Sequence, residues 1–380
     1  MPIELAPQAG VCHMVYDLSR NEFQFPHPLE SAKGNGQHLR RRTREMLRAY
    51  QGTPDIQSVL AATYNLSSDA VHIHNGAVEA LNNIFAGVKM MGNDATLILP
   101  EPGWDFYERL AAHYELPIAR YQYQCSEAGF RLDFDDLDRV VSCTSNPVVL
   151  VNSPSNPLGC AETFEAIQRI ATSLSGRGWL VLDRAYEGFD MEADRRFRDG
   201  QVLEELPRTI VIGSMSKFFG MPGARVGFTI ATQETQREFK LPYDYLGFNS
   251  FSDELAVACL ERVMEFEQLA GQMVSNREGL IKLFNSTEGF HAYPSSANFI
   301  LVRFQNPNVP QWLDELGIKV RTFDDPPELE NCIRLTVPNN EGCEALTRAI
   351  TNIAERSGFQ YGKRDPLRPG SPEMVRIAGL

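Results

Sequence analysis

Ser214-Met-Ser216-Lys217-Phe-Phe-Gly-Met-Pro-Gly223-Ala-Arg225 follows almost directly on a short apolar run at 209–212. A buried strand that empties into two serines, a lysine and, eight residues after the lysine, an arginine has delivered a polar cluster to its carboxyl end. Two further apolar runs finish the same way. Residues 148–151 lead into Asn152-Ser-Pro-Ser-Asn156-Pro-Leu-Gly159, and residues 179–182 lead into Asp183-Arg-Ala-Tyr186. Runs at 96–99 and 226–230 complete a set of strand-length segments, each too apolar to have a wet face. Between them lie segments with helical spacing, such as 163–174 with Phe164, Ile167, Ile170, Ala171 and Leu174. Strand and helix in alternation predict an α/β architecture, a mostly parallel sheet covered by helices. Ligands bind such sheets at the carboxyl ends of the strands, which is where the Asn, the Asp, the Tyr and the Lys converge.

After about residue 280 the pattern shifts to shorter strands, 298–304 and 332–337, mixed with helices. This predicts a smaller α+β domain. The expected division is an N-terminal arm with part of the small domain (1–45), a large cofactor-binding domain (46–282) and a small C-terminal domain (283–380). The last stretch, 362–380, carries Pro366, Pro369 and Pro372 and reads as an extended tail.

Composition bounds the partners. The chain has 380 residues, 43% hydrophobic and 22% charged, enough to bury a core without disulfide or metal staples. Its net charge of −13 argues against gripping nucleic acid, which takes clustered positive charge. No run is long enough to span a membrane, and residues 1–25 lack a signal-peptide pattern. The seven cysteines are odd in number and never form C-x-x-C, so neither a disulfide framework nor a zinc site is expected. His72 and His74 share a strand face without a third ligand in view, so no metal site is expected there either. A cytoplasmic protein is the reading.

The clustered residues suit one kind of cofactor. A lysine can form a Schiff base with an aldehyde, and two serine hydroxyls with a guanidinium can hold its phosphate by charge-assisted hydrogen bonds. Asp183 is placed to keep a pyridine nitrogen protonated, which makes the ring an electron sink. Asn156 and Tyr186 can donate to the ring's phenolic oxygen. Asn75-Gly76-Ala77-Val78-Glu79 opens a helix with an apolar stripe of Val78, Leu81, Phe85 and Val88, and a helix N-terminus is a seat for phosphate. Trp104, after Pro100-Glu-Pro-Gly103, can stack on a flat ring. The set suits a phosphorylated pyridine aldehyde.

On these residues the chain resembles the fold-type I aminotransferases of classes I and II. Residues 214–227 are similar to S-x-S-K-x-x-G-x-x-G-x-R-x-G, 156–159 to N-P-x-G, and 183–186 to D-x-A-Y, in the family's order. Asn21-Glu22, Pro294-Ser-Ser-Ala-Asn-Phe299, Gly317-Ile-Lys-Val-Arg321 and Ile333-Arg-Leu-Thr336 are closest to the histidinol-phosphate aminotransferase branch. The resemblance implies that this aldehyde is pyridoxal 5′-phosphate, and it implies roles. Lys217 would carry the cofactor as the internal aldimine and shuttle the proton, with Asp183 and Tyr186 also catalytic. Gly76, Ala77, Val78, Ser214, Ser216 and Arg225 would hold phosphate, with Tyr50 reaching a neighbouring subunit's phosphate in a homodimer. Asn21, Arg321 and Arg334 would meet substrate, Arg334 clamping its carboxylate and Arg321 facing its distal end.

The segment Phe23-Gln-Phe-Pro-His-Pro28 departs from the family's glycine-proline-rich N-terminal stretch, Val78 replaces a common acidic residue, and Tyr50 is followed by Gln51-Gly52 rather than Pro-Asp. The tract 216–228 is also similar to threonine-phosphate decarboxylases. The implied activity is transfer of an amino group from a small amino acid or amino phosphate to a 2-oxo acid. The alternative is a cyclase, eliminating enzyme or decarboxylase using the same cofactor.

Overall fold

The computed structural model describes residues 16–30, 53–92, 94–174, 176–190, 202–239 and 248–359. In chain order its strands are β1 (Tyr16–Asp17), β2 (Val71–His74), β3 (Ala95–Glu101), β4 (Ile118–Ser126), β5 (Gly129–Leu132), β6 (Asn146–Asn152) and β7 (Trp179–Asp183). They continue with β8 (Thr209–Ser214), β9 (Gly227–Ile230), β10 (Phe290–Ala292), β11 (Phe299–Phe304), β12 (Ile318–Lys319), β13 (Arg321–Thr322) and β14 (Cys332–Thr336).

Eight of these form one sheet in the order β2-β9-β8-β7-β6-β3-β4-β5. Its centre, from β8 through β7, β6 and β3 to β4, is parallel, as the alternation of strand and helix predicts. Successive residues of β6 show why these strands read as unbroken apolar runs. Val148 and Leu150 pack on the face covered by the helix Ala77–Met90, while Val149 and Val151 pack on the face covered by the helix Phe164–Ser173. Both faces are dry. The helix Ala77–Met90 buries Leu81, Phe85 and Val88 of the expected stripe and Ile84 with them, and leaves Val78 at its first turn half-buried. The helix Phe164–Ser173 is started by Thr163, whose hydroxyl accepts the Ala166 N–H.

One strand differs from expectation. β9 runs antiparallel to both neighbours, β8 and β2. The link from Ser214 to Gly227 holds only a single 3-10 turn, Pro222–Ala224, followed by Arg225 in the left-handed region at φ 55°. A parallel return usually runs through a helix that carries the chain back along the sheet; this link is long enough but holds no such helix, and it sends the chain straight back beside β8. The hairpin of β4 and β5 was not anticipated either.

A second sheet, β10-β11-β14-β13, is antiparallel throughout and packs against the helices Val263–Ser286 and Asn340–Ser357. The N-terminal segment lies along this unit: β1 pairs with β12, and the Thr336 N–H donates to the Leu18 carbonyl at 2.8 Å. Among the described residues no helix is long and apolar enough to cross a membrane.

Candidate active site

Three parallel strands end side by side, with Asn152 opposite Asp183 and Asp183 opposite Ile212 in register. The sequence-expected residues are therefore brought to one edge by the sheet itself. Asp183, the last residue of β7, is 2% exposed. Its carboxylate accepts the Tyr107 hydroxyl at 2.6 Å and the Ala185 N–H at 2.9 Å. Burial pushes its pKa up, and these two hydrogen bonds pull against that shift. Asn152, buried, donates to the Asp183 carbonyl and accepts the Asn156 N–H at 2.8 Å, which pins the turn carrying Asn156.

Asn156 and Tyr186 are both buried. The Asn156 side-chain oxygen accepts from Arg334 at 2.5 Å, which turns its NH₂ the other way as a donor. The Tyr186 hydroxyl receives the side chain of Asn21 at 3.0 Å, and its ring packs edge-on to Phe299. Lys217 sits just beyond β8, half-buried, with Nζ 5.7 Å from the Tyr186 ring centroid. Nζ donates to the carbonyls of Arg20 and Asn21, both at 3.2 Å.

At the other end lie the hydroxyls of Ser214 and Ser216, the Arg225 guanidinium and the first turn of the helix Ala77–Met90. The Ser214 hydroxyl accepts the Ser216 N–H at 3.1 Å. Gly76 caps the helix at φ 86°, and a Cβ there would overlap the Arg225 guanidinium. Gly227 is equally constrained, since its Cβ would strike the backbone of Gly76 and Ala77. Glycine at both positions lets the Arg225 guanidinium and β9 come close to the start of this helix, so a cationic side chain and the positive end of the helix dipole lie together. Trp104 caps the helix Asp105–His113 and packs on Phe106 and Tyr107.

The expected substrate residues divide. Arg334, on β14, is 9% exposed. Besides Asn156 it donates to the Ser19 carbonyl at 2.7 Å, its Nε has no partner, and no carboxylate lies within ion-pair distance among the described residues. Arg321, on the neighbouring strand β13, is exposed and reaches Asp105. Asn21 is 1% exposed and occupied within the fold: it bonds Tyr186 and Thr336, and its carbonyl serves Lys217 and Asn298. Tyr50 lies outside the described residues.

The profile of the family "Aminotransferase class I and II" matches residues 13–350. The chain belongs to the class I and II aminotransferases. Among curated relatives, the histidinol-phosphate aminotransferase of Thermoanaerobacter pseudethanolicus is 27% identical over 344 residues, covering 90% of this chain and 92% of its own. Histidinol-phosphate aminotransferase 2 of Archaeoglobus fulgidus is 29% identical over 260 residues, covering 68% and 70%. The fold matches the crystal structure of histidinol-phosphate aminotransferase from Sinorhizobium meliloti, with a TM-score of 0.77 at 20% identity over 90% of this chain and 91% of the other. It also matches L-threonine-O-3-phosphate decarboxylase from Porphyromonas gingivalis, with a TM-score of 0.70 at 18% identity over 90% and 100%.

The cofactor of this aminotransferase is pyridoxal 5′-phosphate, and the residues present fit it. The Gly76–Arg225 cradle and the two serines suit a phosphate dianion, and the buried Asp183 carboxylate suits a protonated ring nitrogen. The two hydrogen-bond donors Asn156 and Tyr186 and the amine of Lys217 share the same edge. His72 and His74 are committed to Gln236 and Thr229, and no metal-binding cluster is present among the described residues.

Sequence reasoning missed Tyr107. It lies three residues after Trp104 and so on the same helix face, the one signal that could have exposed it. Tyr107→Phe in the aminotransferase is expected to remove a hydrogen bond from a buried carboxylate, about 1.5–3 kcal/mol. Because that bond holds the Asp183 pKa down, its loss leaves Asp183 charged over a narrower range. Pyridoxal-phosphate affinity should then weaken on acidification at a higher pH than in the wild type. A titration of affinity against pH that is unchanged would refute this role.

Proposed function

We propose that the protein transfers the amino group of an anionic amino compound, either an α-amino acid or an amino phosphate of the histidinol-phosphate kind, to a 2-oxo acid. The observation that carries this reading is Arg334. A guanidinium taken out of water costs several kcal/mol unless a partner compensates, and burial lowers the Arg334 pKa. Two carbonyl-type oxygens hold it in place without neutralising it, a state suited to receiving an anion bidentately. The names of the curated relatives support the amino-phosphate member of this class.

When bound, pyridoxal phosphate supplies an electron sink for negative charge at the carbon bearing the amino group. The chain's residues do the rest. Lys217 would hold the cofactor through Nζ and act as the base that takes the proton from that carbon. Asp183 would keep the proton on the ring nitrogen, Asn156 and Tyr186 would donate to the phenolic oxygen, and Arg334 would fix the substrate's orientation through its anion. The same reading takes a homodimer, in which Tyr50 would serve the neighbouring site.

A single-turnover experiment tests it. Holoenzyme is mixed with a panel of amino acids and histidinol phosphate without any 2-oxo acid, and the absorbance and product mass are followed. One equivalent of oxo product per site, with bleaching of the yellow cofactor, is expected. Many equivalents of a cyclised, eliminated or decarboxylated product would overturn it. Arg334→Ala is expected to raise the KM of the true donor by about 100-fold, since it removes ground-state binding. An unchanged KM would discard the anchoring role.

A further inference from the structure

Arg277 is a buried guanidinium that no step above uses. It projects from the helix Val263–Ser286 and is 6% exposed. Its Nη1 donates to two main-chain carbonyls, Ala297 at 2.9 Å and Phe189 at 3.3 Å. Its Nε donates to the carboxylate of the exposed Glu278 at 3.1 Å. Burial pulls its pKa down, and Glu278 and Asp190 act against that shift. Keeping a guanidinium out of water costs more than an apolar side chain of similar size would, so filling space does not account for it.

The two carbonyls belong to the two segments that enclose Tyr186. Phe189 lies three residues beyond Tyr186 in the turn after β7. Ala297 lies two residues before Phe299, whose ring meets Tyr186 edge-on with centroids 5.1 Å apart. Tyr186, Ala297 and Phe299 pack as one buried cluster. A second bond closes the same seam, the Ser296 hydroxyl donating to the Asp190 carboxylate at 2.6 Å. The Ser296 N–H donates to the Gly159 carbonyl at 2.8 Å, so the loop 294–298 also braces the turn that carries Asn156. One terminal nitrogen of Arg277 thus gives its two hydrogens to two segments, and neither can shift without loss of a bond. A hydroxyl's donation weakens steeply with misalignment, and the Tyr186 hydroxyl is carried by one of those segments.

We propose that Arg277 is a positioning residue for the reaction, clipping the turn 186–190 to the loop 294–298 so that the Tyr186 hydroxyl is held at the phenolic oxygen of the cofactor. The inference rests on the reading of Tyr186 as a donor to that oxygen.

The test follows the visible band of pyridoxal phosphate in holoenzyme as pH is raised, a colour change that reports loss of the proton at Lys217 Nζ. A hydroxyl bonded to the phenolic oxygen draws off charge that would otherwise hold that proton, so weaker donation moves the change to higher pH. Tyr186→Phe should move it up by about one to two units, and Arg277→Met by about half a unit to one unit. Asn21, Tyr107, Lys217 and Arg334, which lie around Tyr186, stay the same in every variant. Removing the Arg277 charge would by itself raise the proton's affinity, and the Tyr186→Phe background separates the two causes. A clip acting through the hydroxyl adds nothing there, whereas a field effect adds in full. Ser296→Ala removes no charge and should move the change in the same direction by a smaller amount. A shift from Arg277→Met that persists in the Tyr186→Phe background would overturn the proposal. So would no shift in Arg277→Met or, where that variant does not fold, none in Ser296→Ala. If Tyr186→Phe itself leaves the colour change in place, the donor reading fails and this inference with it; a shift there with none from Arg277→Met or Ser296→Ala sinks the inference alone.

Discussion

Lys217→Ala is expected to be folded and inactive, with turnover down by about 10³-fold or more. The amine is half-buried and its bonds in the structure go to two main-chain carbonyls, those of Arg20 and Asn21. Losing these charge-assisted bonds costs about 1.5–3 kcal/mol, so the thermal melt should move by a few degrees while activity disappears. That separation distinguishes a missing reactive group from a damaged fold. Borohydride reduction of the wild-type holoenzyme should fix the cofactor on the peptide containing residue 217. Label on another peptide, or activity retained by the alanine variant, would defeat the assignment. Partial recovery on adding a small primary amine would further identify the missing function as a proton acceptor rather than a shape.

The second large effect is expected from Asp183→Asn. Its carboxylate is buried and its pKa is raised by that burial above the ordinary 3.8. For an acid with a raised folded pKa, the contribution to stability is fully present below the unfolded value and lost as pH rises through the folded one. Without cofactor, then, the charge is a burden at neutral pH, and the asparagine variant should melt no lower than wild type there. With cofactor the sign reverses, because a protonated ring nitrogen gives the charge a partner. The gain in melting temperature on adding pyridoxal phosphate should be smaller in the variant, and kcat should fall by about 10²- to 10³-fold. An equal gain in both proteins, or an unimpaired kcat, would remove Asp183 from its place opposite the ring nitrogen.

What could be seen in the sequence was set by the parallel strands. β6, β7 and β8 are buried on both faces, so their apolar runs stop abruptly, and the residues after each stop are the ones the sheet aligns. Asn156, Asp183, Tyr186, Ser214 and Lys217 were legible for that reason. Tyr107 was not, because a buried tyrosine on an amphipathic helix reads as core until its hydroxyl is seen against Asp183. Asn152 passed as a strand end, yet it sets the turn that presents Asn156. The antiparallel course of β9 goes with a link that has no crossover helix and turns through Arg225 in the left-handed region, which apolar periodicity does not register. The occupation of Asn21 by Tyr186, Thr336 and Asn298 needed contacts across more than 160 residues of chain, and no local pattern encodes those.

Those contacts have a consequence for the order in which the site comes into being. Ser19 meets Arg334 and Asn21 meets Thr336 across 315 residues of sequence, while Lys217 takes its two carbonyl partners from the same short stretch. During synthesis the strands of the central sheet can pair before the small domain emerges, and this stretch can already meet Tyr186, Lys217 and Phe219. Its bonds to Arg334 and Thr336 have to wait for β14. The anion receptor is therefore the part of the site completed last, after the sheet edge that carries most of the cofactor ligands.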